Sequence, residues 1–314
     1  MAGNGKGDAR KVVVAALLGN AAIGVCKFIA AFLSGSVAML AEGVHSVADT
    51  ANQALLLLGI RLSQRRDPDR YPLGRASEVY FWAFIVALML FFVGGVYAVY
   101  EGVHKLLAPD HQPGSPWAPI VVLLVSLGLE SASLTVALRE FNRRRGARPF
   151  REALFDDKDP TITVVLLEDS AAVTGLLIAL AAVIASNWLG SPIPDAIGSI
   201  LIGVLLCVAG VLLARDTRSL LIGEGVTRPI RERLVALAES PEGVERVTQL
   251  LTLHLGPETV VVAFKVRFHP ELSVAQVESV TDELESRIRS ELPQMKRIFV
   301  EADGDYQDSS GGAE

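Results

Sequence analysis

The sequence predicts a membrane protein with a bundle of six transmembrane helices, all α, followed by a C-terminal α+β domain on the cytoplasmic side. Three observations carry this. Hydrophobic residues make up 51% of the 314 and charged residues 20%, with a mean hydropathy of +0.40. The apolar residues gather into six runs of at least ~18 residues, the length a helix needs to cross a bilayer. After residue 213 that pattern stops and charges spread throughout. Intrinsic disorder is excluded, because it requires low hydrophobicity and high net charge. A disulfide scaffold is excluded as well, since Cys26 and Cys207 both lie inside apolar runs. With 29 Lys+Arg against 35 Asp+Glu, a net charge of -6 and a pI of 5.5, the chain is not a basic protein built to grip nucleic acid.

Residues 1–11 read as a cytoplasmic N-terminal segment and residues 12–214 as the transmembrane domain, with spans at 12–33, 37–60, 79–100, 117–138, 162–186 and 193–213. The first run has no small-residue cleavage site and is long enough to span, so it is expected to be retained. Lys/Arg asymmetry sets the orientation. Lys6, Arg10 and Lys11 precede span 1; Arg61, Arg65, Arg66, Arg70 and Arg75 follow span 2. Arg139, Arg143, Arg144, Arg145, Arg148, Arg151 and Lys158 lie between spans 4 and 5, and Arg215 and Arg218 follow span 6. The opposite loops hold Lys105 and little else, so both termini are expected in the cytoplasm.

Residues 215–302 form the expected C-terminal domain. Helical spacing covers 229–238, a strand 244–255, a Gly-Pro-Glu turn 256–258 and a Val- and Phe-rich strand 259–268. An amphipathic helix over 274–292 and a last strand over 298–302 complete an αββαβ order, a small open sheet of α+β type. About 80 residues bury only a marginal core, which dimerisation would support. Residues 303–314 read as a disordered acidic tail.

Polar residues inside the spans carry the functional signal, since a charge at the bilayer centre costs roughly 2.5–3.5 kcal/mol on insertion scales. Asn20, Asp49, Asn52, Glu130, Glu168 and Asp169 all fall within roughly 10–16 Å of the cytoplasmic edge at 1.5 Å per residue. Four helices thus place carboxylates or amides in one layer. His45 lies one turn deeper than Asp49 on the same face, because i and i+4 align. Carboxylate oxygens and a neutral imidazole nitrogen suit Zn²⁺; the same mixture accepts Mn²⁺, Fe²⁺, Co²⁺ or Ni²⁺. Interhelical hydrogen bonding explains Asn20, Asn52 and Ser131 as well as metal binding does, but it explains His45, Asp49 and Asp169 poorly. Lys27 and Glu42 match in depth from the outer ends of spans 1 and 2, so they either pair or snorkel.

These features together resemble the cation diffusion facilitator family of zinc transporters over residues 11–302. SGSVAMLAEGVHSVADTANQ (34–53) looks like the family's stretch across spans 1 and 2, and DPDRYPLG (67–74) like the loop after it. DPTITVVLLEDSAAVTG (159–175) is especially similar to the zinc transporter 9 branch. The resemblance implies a homodimeric antiporter that moves a divalent metal, foremost Zn²⁺, out of the cytoplasm against protons. It also implies alternating access and a ferredoxin-like cytoplasmic domain. By position His45 and Asp49 take the two span-2 ligand places and Asp169 the second on span 5.

Three departures stand out. Val165 occupies the first span-5 ligand place, so a fourth ligand comes from elsewhere or is water. Glu168 is the nearest candidate, although adjacent helical residues point about 100° apart; Glu130 and Asn20 are the others. In the terminal domain Gln276 and Phe299 stand where the family often has His, leaving His254 and His269, which do not make a dinuclear site. The loop between spans 4 and 5 is Arg-rich rather than His-rich. Other readings are an exporter of another divalent metal, an organic-cation exporter and a non-transporting membrane scaffold or receptor. No HExxH, Ser/His/Asp set or phosphate-binding Gly loop appears, so no enzyme is expected. The absence of an Arg- and Ser-rich transit peptide favours a bacterial plasma membrane over a mitochondrial one.

Overall fold

A computed structural model describes residues 5–34, 37–107, 117–146, 149–155 and 158–303. The side chains of residues 5–12, 27, 30–31, 33–34, 37–45, 118, 151–152 and 155 lie outside that description, and with them the Lys27 and Glu42 pairing. The expected tail lies almost wholly outside it. The chain divides into two units that meet at residues 218 and 219.

The first unit is helical. Helices α1 (Gly5–Ser34), α2 (Val37–Ser63), α3 (Glu78–Met89), α4 (Tyr97–Leu107), α5 (Trp117–Arg145), α6 (Phe150–Phe155), α7 (Pro160–Leu189) and α8 (Ile193–Ile222) follow in order. A helix stands at each of the six expected spans. Among the described residues, Glu78–Leu107, Pro119–Arg145, Pro160–Leu189 and Ile193–Ile222 are long and apolar enough to cross a membrane, and Val13–Cys26 adds a shorter apolar stretch. The described part of α2 carries Ser46, Asp49, Thr50, Asn52, Gln53 and Arg61, which lowers its hydropathy. The chain is a multi-pass membrane protein.

Two details were not expected. The third span is not a uniform α-helix: Leu90–Val96 forms a π-helical segment between α3 and α4, a widened turn of the kind found at functional or strained sites. The Arg-rich stretch before α7 hides α6, whose Ala153 and Leu154 are buried in the core. That core also takes in Val13, Leu56, Val86, Leu90, Phe141, Leu166 and Leu213.

Glycines set how closely the helices approach. A Cβ on Gly203 of α8 would stand 2.6 Å from the Val99 nitrogen and 2.7 Å from the Gly95 carbonyl oxygen. One on Gly95 would meet Cys207 Sγ at 2.5 Å. The backbones of the third and sixth spans therefore touch, which only small residues permit. Gly94 and Gly198 are also tightly packed, and Gly24 is in ordinary contact with Ser46. Nothing lies within 4 Å of the Cβ position of Gly19, so it makes no close helix contact.

The second unit contains α9 (Arg228–Ala238), β1 (Val244–Gly256), β2 (Thr259–Phe268), α10 (Val274–Glu291) and β3 (Met295–Ala302). It has the αββαβ order of the ferredoxin-like reading, with sheet order β1-β2-β3. β1 and β2 form an antiparallel hairpin, and α10 carries the chain back so that β3 runs parallel to β2. Strand β3 starts three residues earlier than the sequence shows. Met295 is buried opposite Val260, and the exposed Lys296 and Arg297 disguise that start as loop. The core joins Leu234, Leu237, Leu250, Val262, Phe264, Leu284, Ile288 and Ile298.

Because backbone atoms oppose Gly203, Gly203→Ala forces α8 away from the third span and costs about 1–3 kcal/mol. Gly19→Ala, with open space around it, is expected to leave stability unchanged. Thermal unfolding of both variants in detergent checks this; equal melting temperatures would contradict the close-contact account.

Candidate metal site

The site is assembled by α2, α5 and α7. Asp159 caps α7, its carboxylate accepting the Thr161 N–H at 3.1 Å with Pro160 in the first turn. Arg144 Nη1 at the end of α5 reaches Asp159 Oδ2 at 3.2 Å, and the Tyr80 hydroxyl donates to the Lys158 carbonyl at 3.1 Å. The start of α7 is thereby tied to α3 and α5, which fixes the depth and facing of the residues that follow.

Two turns on, the 100° step between neighbouring residues decides the geometry. Glu168 faces α2, where Asn52 Nδ2 donates to its Oε1 at 2.8 Å and Gln53 Nε2 to its Oε2 at 2.9 Å. Asp169 faces α5, where Ser133 Oγ donates to its Oδ2 at 2.8 Å. Both acids are buried, as are Asp49, Glu130, Asn52, Gln53 and Asn20. Asp49, Glu130 and Asp169 all lie within electrostatic reach of Glu168, and Asp49 and Glu130 within reach of Asp169. Four carboxylates therefore share one buried neighbourhood. The donors that hold Glu168 and Asp169 are neutral, so they satisfy lone pairs without cancelling charge. Such an excess of buried negative charge is costly unless a cation or protons offset it.

The expected ligands are thus brought together as a neighbourhood rather than as a closed coordination shell. Among the described residues, no three His, Cys, Asp or Glu side chains stand close enough to hold a metal ion. His45 lies on α2, and its side chain is outside the description. Val165 packs into the apolar core, 1% exposed, and offers no ligand. Asn20 is 3% exposed and its Oδ1 has no hydrogen-bond partner.

Two residues of the site were not singled out from the sequence. Gln53 lies one turn beyond Asp49 and two beyond His45 on α2, a spacing that could have revealed it. Ser133 lies one turn beyond Glu130 but has no charge to draw notice. In the second unit, Gln276 is occupied as the helix cap of α10, its Oε1 accepting the Ser273 N–H at 2.9 Å. His254 is buried with Nδ1 3.0 Å from the Glu224 carbonyl oxygen, and His269 is exposed at the end of β2.

Residues 13–222 match the cation efflux transmembrane domain and residues 227–304 the cation efflux protein cytoplasmic domain. The chain belongs to the cation efflux family, the cation diffusion facilitators of the sequence resemblance. It is 33% identical over 264 residues to the mouse (Mus musculus) protein named proton-coupled zinc antiporter SLC30A9, mitochondrial, covering 83% of this chain and 45% of that one. It is 31% identical to metal tolerance protein C4 of Arabidopsis thaliana, covering 84% and 58%. It is 25% identical to magnetosome protein MamB of Paramagnetospirillum magneticum, covering 87% and 88%. The chain spans about half the length of the zinc antiporters it matches.

Asn52→Leu leaves Glu168 Oε1 without its amide donor inside the bundle. The expected cost is about 1–3 kcal/mol, the penalty for one unsatisfied buried acceptor. Thermal unfolding of metal-free protein in detergent is expected to show a drop of several degrees; an unchanged melting temperature would show that this bond does not hold the acid.

Proposed function

We propose that the chain is a proton-coupled exporter of divalent metal cations, foremost Zn²⁺, that works by alternating access as a homodimer, and that it is not an enzyme. The observation that carries this is the buried group of Asp49, Glu130, Glu168 and Asp169, of which Glu168 and Asp169 are held by neutral donors. A divalent cation arriving there removes the repulsion, and so do protons. Binding requires deprotonated carboxylates and a neutral His45, so metal and protons compete for the same groups. An acidic outer side favours protons and release, and the cytoplasmic side favours reloading. The names of the relatives, a proton-coupled zinc antiporter and a metal tolerance protein, support the same cargo and coupling.

In this reading His45, Asp49 and Asp169 are the principal ligands, Glu168 joins them, and Asn20, Asn52 and Glu130 line the same layer. The membrane is a bacterial plasma membrane, with both termini cytoplasmic by the Lys/Arg asymmetry; a mitochondrial membrane is the alternative. Mn²⁺, Fe²⁺, Co²⁺ and Ni²⁺ are alternative cargoes.

The dimer contact has physical support in the second unit. Leu251, Ala263 and Phe299 pair in register across the three strands. Leu251 is 58% and Phe299 54% exposed, on the side of the sheet away from the packed core. An apolar row of this kind is the sort of surface a second copy covers.

Reconstituted protein is expected to move Zn²⁺ only under an imposed pH gradient. In Asp49→Ala and Asp169→Ala the flux falls to that of protein-free vesicles, although both variants insert; retained flux in both would overturn the site. The double variant Leu251→Asp, Phe299→Asp is expected to shift detergent-solubilised protein toward the monomer in light scattering. An unshifted mass would remove the sheet from the dimer contact.

A further inference from the structure

The carboxamide of Gln53 is fully buried and half used. Its Nε2 donates to Glu168 Oε2 at 2.9 Å, while its Oε1 has no hydrogen-bond partner. With Glu168 ionised the orientation is fixed, because turning the amide over would set an oxygen against a carboxylate oxygen. A buried acceptor left unpaired is uncommon and costs about 1–3 kcal/mol. It therefore marks a place where something else supplies the missing partner. The free oxygen cannot be far from the acids, because it belongs to the same amide that grips Glu168. Gln53 also shares its helical face with Asp49 and His45, at i+4 and i+8.

A second observation points the same way. Asn20 Oδ1 on α1 is the other unpartnered buried side-chain atom among the described residues. α1 ends at Ser34 and α2 starts at Val37, so the two helices pack as antiparallel neighbours. Gly24 faces Ser46 across that contact. Four residues back along α1 and four on along α2, Asn20 therefore stands level with residues 49–50. Two neutral oxygens without partners thus lie within about one helical turn of the level of Asp49. Neutral oxygens suit this position, because they add donors to a cation without adding to the repulsion that the acids already carry.

We propose that Gln53 Oε1 is a ligand of the transported divalent cation where it lies beside Asp49 and Glu168, about two turns along α2 from His45, and that it biases this position toward oxygen-preferring metals. The proposal rests on the transport reading above. Carbonyl and carboxylate oxygens suit Mn²⁺, whereas imidazole suits Zn²⁺. The donor at position 53 therefore sets the ranking of the two metals.

The test is Mn²⁺ and Zn²⁺ binding to the full purified chain, measured by competition titration in the parent, Gln53→His, Gln53→Leu and Asn52→Leu. Gln53→His is expected to raise the preference for Zn²⁺ over Mn²⁺ about tenfold or more. Gln53→Leu is expected to weaken Mn²⁺ more than Zn²⁺. Asn52→Leu, which also loosens Glu168 but leaves the free oxygen, is expected to weaken both metals and to move the ranking less than Gln53→Leu does; an equal move would assign the effect to Glu168 and overturn the proposal. Where Gln53→Leu does not fold, Gln53→His carries the test. A ranking that is the same in all three variants would overturn the proposal while leaving the transport reading intact, and would reduce Gln53 to a residue that holds Glu168. A parent that binds neither metal would overturn the transport reading and the proposal together.

Discussion

Everything around the candidate site depends on one constraint: carboxylates buried in a membrane bundle need partners, and those of Glu168 and Asp169 are neutral. Glu168 is held by two amides of α2 and Asp169 by a hydroxyl of α5. Amides and hydroxyls orient a carboxylate and satisfy its oxygens, but they leave its charge in place. An Arg or Lys in the same position would make a closed ion pair and a structural feature. The neutral arrangement instead keeps the charge available to a visiting cation or to protons. It explains why two adjacent acids can both be buried, since each is tied to a different neighbouring helix.

The same arrangement links the site to movement of the bundle. Glu168 connects α7 to α2 and Asp169 connects α7 to α5, so a change in what the acids bind is felt at two helix contacts. Elsewhere the bundle is much less yielding. The third span and α8 meet backbone to backbone at Gly95 and Gly203, where even a methyl group does not fit. The bundle thus combines one contact fixed by van der Waals packing with contacts held by hydrogen bonds to ionisable groups. Of the two, only the second kind is built on groups that can change charge.

Much of this was legible in the sequence because the bilayer imposes simple rules. Apolar run length marked the six helical positions, and the cost of polar groups in lipid picked out Asn20, Asp49, Asn52, Glu130, Glu168 and Asp169, all of which the structure buries. The αββαβ order followed from strand alternation and turn residues. What escaped has equally physical causes. Gln53 and Ser133 carry no charge to draw notice, and their partners are 115 and 36 residues away. No local pattern in Leu90–Val96 announces the π-helical segment. Lys296 and Arg297 masked the start of β3, and arginines masked α6, because charge on an edge strand or a short helix reads as loop. Gln276, noted as a missing histidine, has a different task as the cap of α10.

The most direct test of the central claim is the first coordination shell of Zn²⁺ bound to the purified chain, read by X-ray absorption spectroscopy. The account predicts a shell dominated by oxygen with a single imidazole nitrogen, lost in Asp49→Ala. A shell containing sulfur from Cys26 or Cys207, or a spectrum untouched by that substitution, would contradict it.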